Sequence, residues 1–274
     1  MMTPPKLKEQ AARYRRQIVS CICRTPGGHL GAALSVIDLL TVLYHRVLRV
    51  DPASPSDPDR DRFILSKGHA AIALYCVLAE RGFFPREILD SFGCRGTILG
   101  GHPDMLKVPG VEASTGALGH GLPFAVGSAL AGRMDGKNYR VYALLGDGEC
   151  QEGSVWEAAL FAPCHRLDNL TVIIDYNKMQ AMDHLDNIVS LEPLARKWES
   201  FGWEVREVDG HDLGALCELF GNLPGGTGKP ALIIAHTVKG KGVSFMEGKP
   251  IWHYRLPDDD EREILCRELG IDEL

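Results

Sequence analysis

Residues 140–180 read RVYALLGDGECQEGSVWEAALFAPCHRLDNLTVIIDYNKMQ, and the fold is decided inside them. Residues 140–146 form a short apolar run closed by a glycine, the pattern of a buried strand. It passes through Gly146-Asp147-Gly148 into a helical pattern at 154–165, and a second apolar, β-branched strand follows at 170–175. A strand, a tight turn, a helix and another strand in so short a stretch make a crossover unit, so the two strands lie parallel in one sheet.

Reading outward, further strands are expected at 62–66, 203–208 and 231–236. Helical patterns fall at 35–47, 70–81, 119–134, 191–201 and 213–223, and the acidic stretch 258–274 reads as a final surface helix. Strand–helix alternation of this kind predicts an α/β fold: a doubly wound, mostly parallel sheet with helices on both faces. The whole of 1–274 is expected to be one domain. Ligands of such sheets sit at the carboxyl ends of the strands, which directs attention to the segments after Ser66, Gly146, Asp175 and His236.

Two of those segments carry recognisable chemistry. Gly146 and Gly148 allow close approach of a bulky anion, and the helix that follows turns its amide donors and positive dipole end toward it. Asp147 and Asn177, thirty residues apart, would project from neighbouring strand tips. A carboxylate, an amide oxygen and phosphate oxygens are the donor set of a hard divalent cation bridging a diphosphate. A GDG turn alone, or an asparagine after a strand alone, is usually only a loop; the ordered pair at strand-to-strand spacing is the signal.

Composition narrows the classes. With 45% hydrophobic and 24% charged residues the chain is an ordinary globular protein. A net charge of −6 with scattered basic residues leaves no face for a nucleic-acid backbone. The polar start MMTPPKLKEQAARYRRQ has no signal-peptide core, and no run reaches the roughly 18 apolar residues of a membrane span, so a cytoplasmic address is expected. The eight cysteines contain no CxxC and are expected reduced and mostly buried. Gly226-Thr227-Gly228-Lys229 imitates a phosphate-binding loop, but Pro230 follows the lysine and the strand–helix order is reversed, so it reads as a surface turn.

The GDG…N spacing resembles the thiamine-diphosphate motif, and the surrounding sequence resembles transketolases in particular. The strings that carry this are residues 146–180, SKGHAAIALY at 66–75, GGHPD at 100–104, STGALGHGL at 114–122 and HTVKGKG at 236–242. The resemblance extends from about Gly27 to about His253 and implies thiamine diphosphate and Mg²⁺ as cofactors. It implies Asp147, Asn177 and the Met179 carbonyl as metal ligands. Gly146, Gly148, Glu149 and Lys239 would line the diphosphate, and Gly116-Ala117-Leu118 would meet the aminopyrimidine through backbone groups. His29, His69 and His253 would face the diphosphate and the reacting end of the substrate, with His102 bonded to the ketose. Glu152 and Glu157 resemble the family's buried interface carboxylates, which relay protonation between paired sites. Imidazoles suit such work, since ketol transfer moves protons near neutral pH. His45, His165 and His211 are read as structural.

The family also places a catalytic glutamate and most sugar-phosphate contacts on a following pyrimidine-binding domain. The chain ends at Leu274, so a second polypeptide carrying that domain is expected as partner, as in split transketolases, within an α₂β₂ assembly. Two-carbon transfer from a ketose to an aldehyde is the activity implied. Another thiamine-diphosphate reaction, of the 1-deoxyxylulose-5-phosphate synthase or 2-oxoacid dehydrogenase type, stays open, as does a non-catalytic scaffold. The sequence departs from the family in Ala181-Met182-Asp183-His184, near the thiazolium, and in Trp252-His253-Tyr254-Arg255, where a His-Gly is usual.

Overall fold

The computed structural model describes residues 2–25, 27–181 and 183–274. Among them the sheet has five strands: β1 (Arg62–Leu65), β2 (Val141–Gly146), β3 (Leu170–Tyr176), β4 (Glu204–Asp209) and β5 (Ala231–His236). Their order is β1-β2-β3-β5-β4 and every pairing is parallel, so the mostly parallel sheet expected from sequence is wholly parallel. Side chains alternate between two cores. Phe63, Leu65, Tyr142, Leu144, Ile173 and Ile233 enter one; Ile64, Val141, Ala143, Leu145, Val172 and Ile234 enter the other. Burial on both faces is why these strands read as continuous apolar runs and not as alternating ones.

The first core is closed by helices α1 (Pro4–Cys23), α2 (Leu30–Val42), α3 (Ala71–Arg81) and α8 (Leu213–Gly221). The second is closed by α4 (Gly121–Met134), α5 (Gly153–Cys164) and α7 (Leu194–Phe201), with the short α6 (Leu185–Ile188) beside them. The chain steps across the sheet in one direction from β1 to β3, then β4 returns through α8 to β5. Reversal of direction puts α8 on the opposite face from α5 and α7, as the handedness of parallel crossovers requires.

Two expectations need correction, and the polar start takes a form they left open. It is helix α1: Leu7, Ala11, Tyr14, Ile18 and Ile22 are buried at helical spacing, and Pro4 and Pro5 sit in the first turn, where proline is tolerated. Residues Leu30–Val47, α2 and its one-turn π extension, do reach 18 residues with a mean hydropathy of 1.4, long and apolar enough to span a membrane. They are 83% buried within the protein, which marks a core helix packed between α1 and α3. The final helix α9 (Asp259–Leu269) stops short of Leu274, because Gly270 takes a left-handed cap (φ 66°) after an N-terminal capping box of Asp258 and Glu261.

All eight cysteines are free; Cys21, Cys23, Cys76 and Cys150 are buried, but the other four are partly or fully exposed. Gly226-Thr227-Gly228-Lys229 lies between α8 and β5 as an exposed or half-buried turn.

Candidate active site

The carboxyl ends of β1, β2, β3 and β5 open onto one cavity of about 380 Å³. Gly146 and Asp175 are paired across β2 and β3, so Asp147 and Asn177 emerge from adjacent strand tips. Asp147 ties the tips together: Oδ1 accepts from the Gly148 amide at 2.7 Å and Oδ2 from the Lys178 amide at 2.5 Å. Asn177 Nδ2 donates to Asp175 at 3.1 Å, while its Oδ1 accepts from the Met179 amide at 3.1 Å. Beneath them Asp175 is fully buried. It receives the Lys67 ammonium, the Ser35 hydroxyl at 2.6 Å and the Thr237 hydroxyl. The ammonium beside it holds the Asp175 carboxyl below the usual range in spite of burial.

Charge is unbalanced at Asp147. Burial, and then the neighbouring Asp175, push its carboxyl up to about 6, more than the Lys67 ammonium offsets. Among the described residues no cluster of three His, Cys, Asp or Glu side chains could hold a metal on its own. A carboxylate, an amide oxygen and the Met179 carbonyl fit instead an ion whose remaining ligands come from a bound diphosphate.

The cradle for such an anion is also present. Glycine at 148 leaves room for Gln180, since a Cβ there would lie 2.8 Å from Gln180 Cγ and push that side chain aside. Among the described residues the Gln180 side-chain amide nitrogen is buried with no hydrogen-bond partner, a donor left for a ligand. Gln180 escaped the sequence reading. Its position in Asn177-Lys178-Met179-Gln180 was visible, but not its contact with Gly148. Lys239 is 2% exposed, and its ammonium donates to the carbonyls of Met179 (3.3 Å) and Gln180 (3.0 Å). Burial, and then the Lys67 charge, lower it to about 8.

Facing the cradle are four imidazoles. Ring centroids lie 5.1 Å apart for His29–His69, 5.1 Å for His29–His253, 5.3 Å for His69–His253 and 6.1 Å for His29–His102. Burial is the main reason each is held below its ordinary value. His102 adds to the effect at His29, which falls to about 4, and Lys239 to that at His253, which falls to about 3. His69 lies well below, with Lys67 assisting, and His102 is lowered by burial. At neutral pH all four are uncharged rings, each with one donor and one acceptor nitrogen.

The cavity thus gathers His29, His69, His102, His253, Gly116, Leu118, Gly146, Asp147, Gly148, Glu149, Glu152, Asn177, Met179 and Lys239. Ala117 and Glu157 are exposed and outside its lining. Glu152 and Glu157, expected to be buried, are exposed in this single chain; Glu152 stands at the rim and Glu157 on α5. Glu149 meets loops: its carboxylate takes the Ser66 hydroxyl and the amides of Gly119 (2.9 Å) and Gly146 (3.0 Å). It therefore fastens three cavity-forming segments to one another.

The departures sort themselves. Met182 lies outside the described residues. Asp183 turns away to accept from the His184 amide at 2.7 Å and Asn187 at 3.1 Å, leaving Ala181 to line the cavity. Arg255 stacks on Trp252 and pairs with Glu261 at 2.6 Å. Tyr254 does reach the rim: its ring centroid is 4.9 Å from that of His29, and its hydroxyl lies 2.6 Å from where Gly27 would carry a Cβ. Helices α4 and α5 expose Phe124, Met134, Leu160 and Phe161, and Leu118 is exposed in the loop before α4.

The histidines foretell an acid sensitivity. His29, His45, His69, His102 and His253 are all lowered on folding, so below about pH 6.5 the unfolded chain takes up protons first. The stability this reflects is complete above about pH 6.5 and is lost as pH falls toward about 4. Thermal scans should show a midpoint that declines across that window; a flat midpoint down to about pH 4.5 would contradict the burial of these rings.

A parallel sheet with an acid and an amide on adjacent strand tips, a glycine-floored anion cradle and four neutral imidazoles opposite defines a thiamine-diphosphate-binding α/β domain. Comparison with known proteins agrees. The family described as "Transketolase, thiamine diphosphate binding domain" matches residues 8–273, and the chain belongs to it. It is 46% identical over 265 residues to one of the named subunits of the apulose-4-phosphate transketolase of Actinobacillus succinogenes, covering 96% of both chains. It is 44% identical over 247 residues to a 6-deoxy-6-sulfo-D-fructose transketolase subunit of a Clostridium species, covering 90% of both. The crystal structure of Campylobacter jejuni transketolase superposes with a TM-score of 0.92 at 30% identity, covering 99% of this chain and 44% of that one. The chain thus matches these separate subunits over most of their length and spans under half of the undivided enzyme.

Proposed function

We propose that this chain is the diphosphate-holding subunit of a two-subunit transketolase that moves a two-carbon ketol unit from a ketose phosphate to an aldehyde. One observation carries this: a buried Asp147–Asn177 pair and a cluster of neutral histidines share a single cavity. Relatives named as single subunits of transketolases, matched over almost their whole length, support a division of the enzyme between two polypeptides.

When bound, thiamine diphosphate supplies the nucleophilic carbon that engages the ketose carbonyl and the electron sink that lets the adjacent C–C bond break. Asp147, Asn177 and the Met179 carbonyl would hold Mg²⁺. Gln180 and Lys239 would donate to the diphosphate above Gly146 and Gly148, with Glu149 fixing the loops around it. His29, His69 and His253 would donate N–H to oxygens gaining charge at the reacting end, and His102 would bond a substrate hydroxyl. Being neutral, these rings act by directed hydrogen bonds; the positive charge facing the anion is that of Lys67 and Lys239. Gly116, Ala117 and Leu118 would present backbone groups to the aminopyrimidine.

The partner would bring the pyrimidine-binding domain and most groups gripping the sugar phosphate. It would cover the flank of α4 and α5, burying Glu152 and Glu157 so that they couple paired sites in an α₂β₂ assembly. A cytoplasmic address accompanies this reading. The test is reconstitution: the chain and a candidate partner, with thiamine diphosphate and Mg²⁺, should transfer two carbons from xylulose 5-phosphate to an aldehyde, and neither alone should. Cofactor binding without turnover for any donor or acceptor in the assembled complex would sink the proposal.

A further inference from the structure

The loop after β5, Thr237-Val238-Lys239-Gly240-Lys241-Gly242, must deliver the Lys239 ammonium to the cradle, yet its sequence is poorly suited to holding still. Gly240 and Gly242 take φ of 79° and 95°, and glycine adds backbone freedom in the unclamped state. Something outside the loop has to fix it. At its near end Val238 N donates to His211 Nε2 at 2.9 Å. At its far end the Lys241 carbonyl accepts from Arg15 Nε at 3.2 Å. Both gripping side chains are themselves held by one acid: His211 Nδ1 meets Asp38 Oδ2 at 2.7 Å, and an Arg15 guanidinium nitrogen pairs with the same oxygen. Asp38 is 3% exposed and lies within the wholly buried α2.

The bonding fixes the state of the ring. Nε2 accepts a backbone N–H and so carries no proton, leaving the proton on Nδ1 to donate to Asp38. We infer that Asp38, through Arg15 and His211, clamps both ends of the 238–241 loop and thereby sets where Lys239 stands over the carbonyls of Met179 and Gln180. These three are positioning residues on α1, α2 and the turn before α8, none of which lines the cavity. The inference deepens the proposed function and rests on it, since it gives Lys239 an anion to meet.

The test uses the full chain with magnesium pyrophosphate as probe, read by calorimetry without turnover, and thermal unfolding as a second readout. His211→Gln puts an acceptor near Nε2 and should keep affinity within about threefold. His211→Asn keeps only the donor to Asp38, loses the hold on Val238, and should weaken binding roughly tenfold, the order expected for one hydrogen bond that positions a charge. In the reconstituted enzyme His211→Asn should raise half-saturation by thiamine diphosphate while kcat at saturating cofactor is unchanged. Equal affinities for the two variants, or losses that merely follow their melting temperatures, would overturn the clamp. A wild-type chain blind to magnesium pyrophosphate, and a wild-type complex blind to thiamine diphosphate, would overturn the functional reading beneath it.

Discussion

Asp147→Ala should abolish divalent-ion-dependent uptake of thiamine diphosphate. Loss of an outer partner of a metal ligand typically weakens an ion about ten- to a hundredfold, so removal of the one carboxylate should weaken cofactor binding by at least about a hundredfold. Titration of the variant with cofactor at fixed Mg²⁺ measures this directly. Undiminished affinity would mean that the ion binds elsewhere. Stability should move the other way. The Asp147 carboxyl is raised to about 6 by folding, so the stability associated with it is present below about pH 4 and lost as pH rises through 6. At neutral pH the ionised group burdens the cofactor-free fold, and the alanine variant should melt no lower than the parent. Function and stability conflict at this residue, as they do at many sites built around an unbalanced charge.

The second large effect is expected beneath the site. Lys67 and Asp175 form a buried ion pair with side chains 2% and 0% exposed. Removing one partner of such a pair typically costs about 3–5 kcal/mol, because the survivor is left charged and dry. Lys67→Met should therefore lower the melting temperature by roughly 10 °C for a domain of this size. It would leave Asp175 Oδ2 with only neutral donors, the Asn177 amide and the Ser35 hydroxyl. Replacing both partners, as in Lys67→Met with Asp175→Leu, should recover much of the stability but not the cofactor binding. A single variant that melts within a degree or two of the parent would show that the three neutral donors on Asp175 suffice.

Much of this architecture was legible because the sheet is buried on both faces. The uninterrupted apolar runs at 140–146 and 170–175 could be little other than adjacent parallel strands, and the glycines between them announced an anion. Helix α1 is marked by its apolar spacing at Leu7, Ala11, Tyr14, Ile18 and Ile22, a stripe set within a charged outer face. Other features had no local trace. Lys67 and Asp175 stand 108 residues apart, and no periodicity says which buried charges will meet. Gln180 faces Gly148 from another strand tip, a neighbour that no local pattern announces. His211 lies outside the cavity, as its structural reading from sequence requires, but the backbone amide that it holds has no signature in the residues around it.

The exposed Phe124, Met134, Leu160 and Phe161 of α4 and α5 have a bearing on how this polypeptide is handled by the organism that makes it. Large exposed apolar side chains of this sort favour association when left wet. Under the proposed function, output of the chain would be matched to the supply of the partner that shields them. Made in surplus, it would be expected to self-associate.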